Sequence, residues 1–206
     1  MSHFEFSIAK IISQAWTKLK ENILFWIGIT LFTITISLPG HIMPSVALFF
    51  TLLSCYFSST ITLISIRYIR GERVSVNDLL AITSMKFLHY LATLLICSVL
   101  IIMGFILFIL PGIYVMVRLM FAQYLIVDQD ISFDQAIKKS WYLTKGLEFN
   151  LIAFVFAMFV IVALGFLSFL VGLIIAIPLT QLSTAYLYVV ILDDSAKLNS
   201  SNNIDI

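Results

Sequence analysis

Arg118 interrupts the apolar stretch PGIYVMVRLMFAQYLIV, residues 111–127. A guanidinium is a planar fork of donors that grips phosphate or carboxylate oxygens in pairs, and it keeps its charge in any environment. It comes seven residues after Pro111 and ten before Asp128, so on a straight helix it lies about 10 Å from one end and about 15 Å from the other. At such a depth in a bilayer an arginine costs a few kcal/mol or more, unless it faces a protein interior or a wet cavity.

The apolar blocks of the chain hold no Asp or Glu, and the nearest carboxylates, Glu21, Asp128 and Glu148, stand at block ends. The expectation is therefore that no protein carboxylate neutralises Arg118. That leaves carbonyls, hydroxyls or an anion from outside, and a lipid phosphate suits the guanidinium fork. The other reading is packing alone, with hydrogen bonds to backbone freed near Pro111 or Pro178 and to Gln181.

Other polar residues are few. The segment IPLTQLSTAYLYVV, residues 177–190, carries Pro178, Gln181 and Thr184; a proline there frees a carbonyl, and a glutamine is costly to leave in lipid. Ser54, Ser58 and Thr62 recur every four residues with Ser65 close behind, which reads as a close-packing face or as a polar conduit. His3, His41 and His89 lack metal-ligand spacing. No nucleophile, base and orienting acid come together, so neither catalytic residues, a metal site nor a cofactor is expected.

The elements that position these residues follow from composition. Hydrophobic residues make up 61% of the 206 and charged residues 11%, where a soluble domain carries about a quarter charged. With a net charge of +1, nucleic acid is not an expected partner. Residues 22–66 and 149–192 contain no Lys, Arg, Asp or Glu, and residues 87–127 contain Arg118 alone. A crossing takes about 20 apolar residues, so each block is two crossings and a tight turn.

The expected fold is thus all-α: a polytopic membrane protein with six transmembrane helices in three hairpins. The spans fall near 22–38, 45–67, 88–109, 112–128, 149–169 and 172–192, with turns at LPGHIMP, at Pro111–Gly112 and between Gly165 and Gly172. A different cut would make the fourth span re-entrant. Of the twelve Lys and Arg residues, all but Arg118 lie in the termini and the two longer connectors, which places both termini in the cytoplasm by the positive-inside rule. Cys55 and Cys97 fall in spans, so no disulfide is expected.

A charged segment with helical periodicity precedes each hairpin. Ile8, Ile11, Ile12, Ala15, Trp16 and Leu19 share one face, as do Phe133, Ala136, Ile137, Ser140 and Trp141. Ser7 and Ser132 stand at the N-cap positions. Residues 75–87 form a weaker copy without tryptophan. Such helices lie in the membrane plane with Trp16, Trp141 and Lys145 at head-group depth. The single membrane domain, 1–194, reads either as three repeats (1–70, 71–128, 129–194) or as hairpins whose linkers are merely amphipathic. Residues 195–206 look like a disordered cytoplasmic tail.

Residues 111–146 also carry a family resemblance, through Pro111, Gly112, Tyr114, Arg118, Phe121, Ala122, Asp128, Ser132, Ala136, Ser140, Trp141, Lys145 and Gly146. This PGIY turn, V-R-L-x-F-A helix and S-W-x-L-x-K-G helix resembles bacterial inner-membrane proteins of the YciC type and the membrane domain attached to some glycerophosphodiester phosphodiesterases. The resemblance implies a six-span bundle in the bacterial inner membrane. These residues hold no counterpart of the phosphodiesterase domain, so hydrolysis is not carried over.

The expected function is non-enzymatic binding of an anionic lipid or amphiphile at Arg118, with Tyr114, Gln181 and Thr184, in lipid transfer or envelope maintenance. The alternative is a scaffold that engages another membrane protein through its cytoplasmic amphipathic helices.

Overall fold

The computed structural model describes residues 6–168 and 171–202, and no strand occurs among them. Helix α1 (Ile8–Glu21) begins at Ser7, whose hydroxyl accepts from the Lys10 backbone N–H, as an N-cap should. There follow α2 (Ile23–Ile42), α3 (Ala47–Ile69), α4 (Ser84–Leu107), α5 (Ile109–Leu119), α6 (Ala122–Gln129), α7 (Phe133–Leu143), α8 (Glu148–Leu167) and α9 (Val171–Asn202). Six stretches of the described residues are long and apolar enough to cross a membrane: Ile23–Gly40, Pro44–Ile69, Ser84–Leu107, Ile109–Gln129, Glu148–Leu167 and Gly172–Lys197.

Neighbours in sequence pack together, α2 on α3, α4 on α5 and α8 on α9, while α9 also meets α1 and α3. Two of these pairs close on glycines. A Cβ on Gly104 would stand 2.9 Å from the Gly112 Cα, and one on Gly172 would stand 2.7 Å from the Gly165 Cα. Missing side chains let the backbones approach, as small residues do at helix contacts in membranes.

Several expectations are corrected. Pro39 and Gly40 continue α2, and the chain turns at Met43. Pro111 lies in the first turn of α5, where its missing N–H costs nothing because the first amides of a helix have no partner; the break comes earlier, at the extended Phe108. The fourth span is not one helix, since Met120 and Phe121 separate α5 from α6.

The middle charged segment is not a helical copy of the other two. Residues Val76–Leu80 form one short 3-10 turn held by a capping box between Ser75 and Asp78. With no Gly or Pro after 195, α9 continues to Asn202, through the first part of the expected tail, and residues 203–206 fall outside the described residues.

Burial is lopsided along the bundle. On α2 the buried residues are Trp26, Ile29 and Thr30, on α3 they run from Ser59 to Tyr68, and on α9 they concentrate between Leu182 and Ile191. Toward the other end Leu38, Leu48, Phe49, Ile106 and Leu167 are exposed. The close-packed end is the one where α1 buries Ile11, Ala15 and Leu19, and where α7 buries Ala136, Ser140 and Leu143. The 32 residues of α9 extend about 48 Å, well beyond a hydrocarbon core of about 30 Å. This helix is therefore longer than one untilted crossing needs.

Candidate functional site

Arg118 is 3% exposed and points into the close-packed end. Its Nη1 donates to Glu148 Oε1 at 2.9 Å, its guanidinium carbon lies 4.6 Å from the centre of the Trp141 ring, and the Tyr114 ring follows at 5.7 Å. Trp141 and Tyr114 meet edge to face. Nε is buried without a hydrogen-bond partner.

This overturns the expectation that no carboxylate reaches Arg118. Glu148 is the first residue of α8, and Ser140 and Thr144 at the end of α7 also touch Arg118. Arg118 thus stands level with the start of the third apolar block instead of deep within the second. Residues 119–127 are mostly apolar because α6 is buried by protein, with Leu125, Ile126 and Val127 fully covered.

The break after Arg118 explains its backbone contacts. Where α5 stops, the Arg118 carbonyl accepts from the Ser140 hydroxyl at 2.9 Å and from the Thr144 hydroxyl at 3.4 Å. Side chain and main chain of one residue so tie α5 to α7 and α8. Trp141 is 39% exposed, and its ring covers the guanidinium besides facing outward. Trp16, at 37%, has no such contact and carries Lys20 Nζ 5.8 Å above its ring. Lys145 is exposed.

A second ionic group was not legible in advance. Asp128 takes a forked pair of hydrogen bonds from Arg70, the second at 2.8 Å, and a third at 2.7 Å from the Tyr188 hydroxyl. Tyr188 is fully buried. Hydrogen bonding to Asp128 raises the Arg70 pKa above its ordinary value, so the guanidinium stays charged. Three segments distant in sequence, the ends of α3 and α6 and the middle of α9, are joined here.

Gln181 and Thr184 do not join Arg118. Thr184 donates to the Thr180 carbonyl at 2.8 Å and lies beside the Tyr124 hydroxyl. Gln181 lines a different feature, a groove of about 150 Å³ between α2, α3 and α9, together with Trp26, Thr30, Thr33, Ser37 and Ser58. Its carboxamide makes no hydrogen bond to any described residue.

The groove's hydroxyls are partly committed. Thr30 donates to the Trp26 carbonyl and Thr33 to the Ile29 carbonyl, both at 2.8 Å, and Ser37 donates to Ile34 at 2.9 Å. Ser58 meets the buried Tyr90 hydroxyl at 3.3 Å, and Tyr90 reaches Gln123 at 3.4 Å. The hydroxyl stripe on α3 accordingly divides, Thr62 and Ser65 bonding within their own helix and Ser58 facing the groove. Pro178 also lines it.

Compared with family models, with curated proteins and with solved structures, the chain matches none.

Proposed function

We propose that this chain is a non-enzymatic multi-pass protein of the bacterial inner membrane, with both termini cytoplasmic, that binds a lipid or other amphiphile within its bundle, in transfer or envelope maintenance. The family resemblance and the distribution of lysine and arginine support the location. The observation that carries the binding is the groove between α2, α3 and α9, where the Gln181 carboxamide has no partner among the described residues. Gln181 is half-buried, and its amide is left to be met by a ligand or water.

The site then lies at Gln181 and not at Arg118. Glu148 already supplies the negative charge that Arg118 needs, and a phosphate is not required to neutralise it. Arg118, Tyr114, Trp141 and Glu148 instead brace the helices below the groove.

The test is the lipid that accompanies the protein through purification in mild detergent. Thr33→Phe, which fills the groove, is expected to lower the lipid retained per protein, whereas Arg118→Leu, in whatever fraction folds, retains it. Equal retention in wild type and Thr33→Phe would overturn the reading.

One observation favours the scaffold alternative for α1 alone: Trp16, 37% exposed, and Lys20 form an outward-facing pair on the helix. A photo-crosslinker at position 16 that captures a defined membrane protein, with loss of capture in Lys20→Glu, would support it.

A further inference from the structure

We infer that the head group held in the groove is uncharged and carries a hydroxyl, as in a diacylglycerol, and is neither a phosphate nor an amine; the inference rests on the groove being the amphiphile site proposed above. The first ground is charge. None of the residues lining the groove is Lys, Arg, His, Asp or Glu. A phosphate or ammonium in the groove would be a bare charge among apolar helices, costing a few kcal/mol or more.

The second ground is the direction of the hydrogen bonds. Thr30, Thr33 and Ser37 each give their one proton to a carbonyl of their own helix. What these three leave to a ligand is lone pairs, which demand a donor, while the buried Trp26 Nε1–H has no partner and demands an acceptor. Gln181 offers two donors and an acceptor, none of them used. A phosphodiester brings acceptors only, and an ammonium brings donors only. A hydroxyl both donates and accepts, and a neighbouring ester carbonyl can take the Gln181 N–H.

The third ground is size. A void of about 150 Å³ matches the cavity of about 150 Å³ that takes up benzene, a molecule of six heavy atoms. A glycerol unit has six heavy atoms as well. Thr30, Thr33 and Ser37 repeat along one face of α2 over about 10 Å, which suits a polar head followed by the first carbons of its chains. The remaining chain length then lies along the exposed residues Leu38 and Ile42, in lipid.

The test uses dioleoylglycerol, dioleoylphosphatidate and dioleoylphosphatidylethanolamine, which share their acyl chains. Each is added at equal concentration to the purified full-length protein, and bound lipid is read by native mass spectrometry. Dioleoylglycerol is expected to be retained about tenfold over the other two, the factor that one well-made hydrogen bond supplies. Gln181→Leu should remove most of that preference.

If phosphatidate or phosphatidylethanolamine is retained as well as dioleoylglycerol, and Thr33→Phe expels them all, the groove stands and the neutral head group is wrong. If Thr33→Phe changes none of the three, the groove reading falls and this inference with it. Should Gln181→Leu not fold, the wild-type comparison of the three lipids still decides between a neutral and a charged head.

Discussion

Glu148 and Arg118, thirty residues apart in sequence, are 2.9 Å apart in space, and the guanidinium is capped by the Trp141 ring on another side. The pair joins the first residue of α8 to the last turn of α5. Removing Glu148 leaves the buried Arg118 without its counter-charge, and breaking a buried pair in this way costs about 3–5 kcal/mol, whereas Glu148 without Arg118 keeps Lys145 within electrostatic reach. Glu148 is 23% exposed at its side chain, so water recovers part of that loss on its side. Arg118→Leu and Glu148→Gln are each expected to lower the melting temperature in detergent. In Arg118→Leu/Glu148→Gln the combined loss should fall short of the sum by about 0.5–3 kcal/mol, the usual range for residues in contact. Strictly additive losses would show that the two do not act together.

The Ser140 hydroxyl holds the Arg118 carbonyl, left open where α5 ends. Ser140→Ala removes that donor in a fully buried place and leaves the longer Thr144 contact. A cost of about 1 kcal/mol is expected, read from unfolding in increasing denaturing detergent. Ser98→Ala is the control: Ser98 is exposed and bonds only to its own helix, so it should change little. Equal losses in the two variants would mean that the Arg118 carbonyl finds another partner.

Asp128 has two partners of unequal worth. Tyr188→Phe deletes one hydrogen bond while the Arg70 fork persists, and should cost about 1 kcal/mol. Asp128→Asn weakens both contacts and unpairs Arg70, so it should cost more, about 2–3 kcal/mol given the partial exposure of Arg70. Thermal unfolding of the two variants ranks them, and the reverse order would remove Asp128 as the junction of α3, α6 and α9.

Glycines separate by what surrounds them. At Gly172 an added Cβ meets the Gly165 backbone at 2.7 Å, whereas at Gly28 nothing lies within 4 Å. Gly172→Ala therefore has to push α8 from α9, and a loss of about 1–3 kcal/mol is expected. Gly28→Ala should be neutral or stabilise by up to about 1 kcal/mol through helix propensity. Melting temperatures of the two purified variants provide the comparison.

Hydropathy and charge placement alone determined that the described chain is helical and that six of its stretches suit a membrane, because segment length and the absence of charge are properties of the chain itself. Ser7 as the cap of α1 was equally legible, since a cap acts within four residues. The depth of Arg118 was not. Counting residues from Pro111 assumed one straight helix wholly in lipid, but the break at Met120 and the cover supplied by α7 turn the second half of that segment into protein core. A hydrophobic run looks the same whether lipid or protein covers it.

Which polar residues meet was likewise decided only in three dimensions. Gln181 and Arg118 are both polar interruptions of apolar blocks, yet helix packing sends one to the groove with α2 and the other to Glu148. Sequence spacing specifies neighbours on one helix, through its 3.6-residue turn. Contacts between helices depend on crossing geometry and on close approaches such as Gly104 to Gly112, and these arise only when the whole bundle is packed.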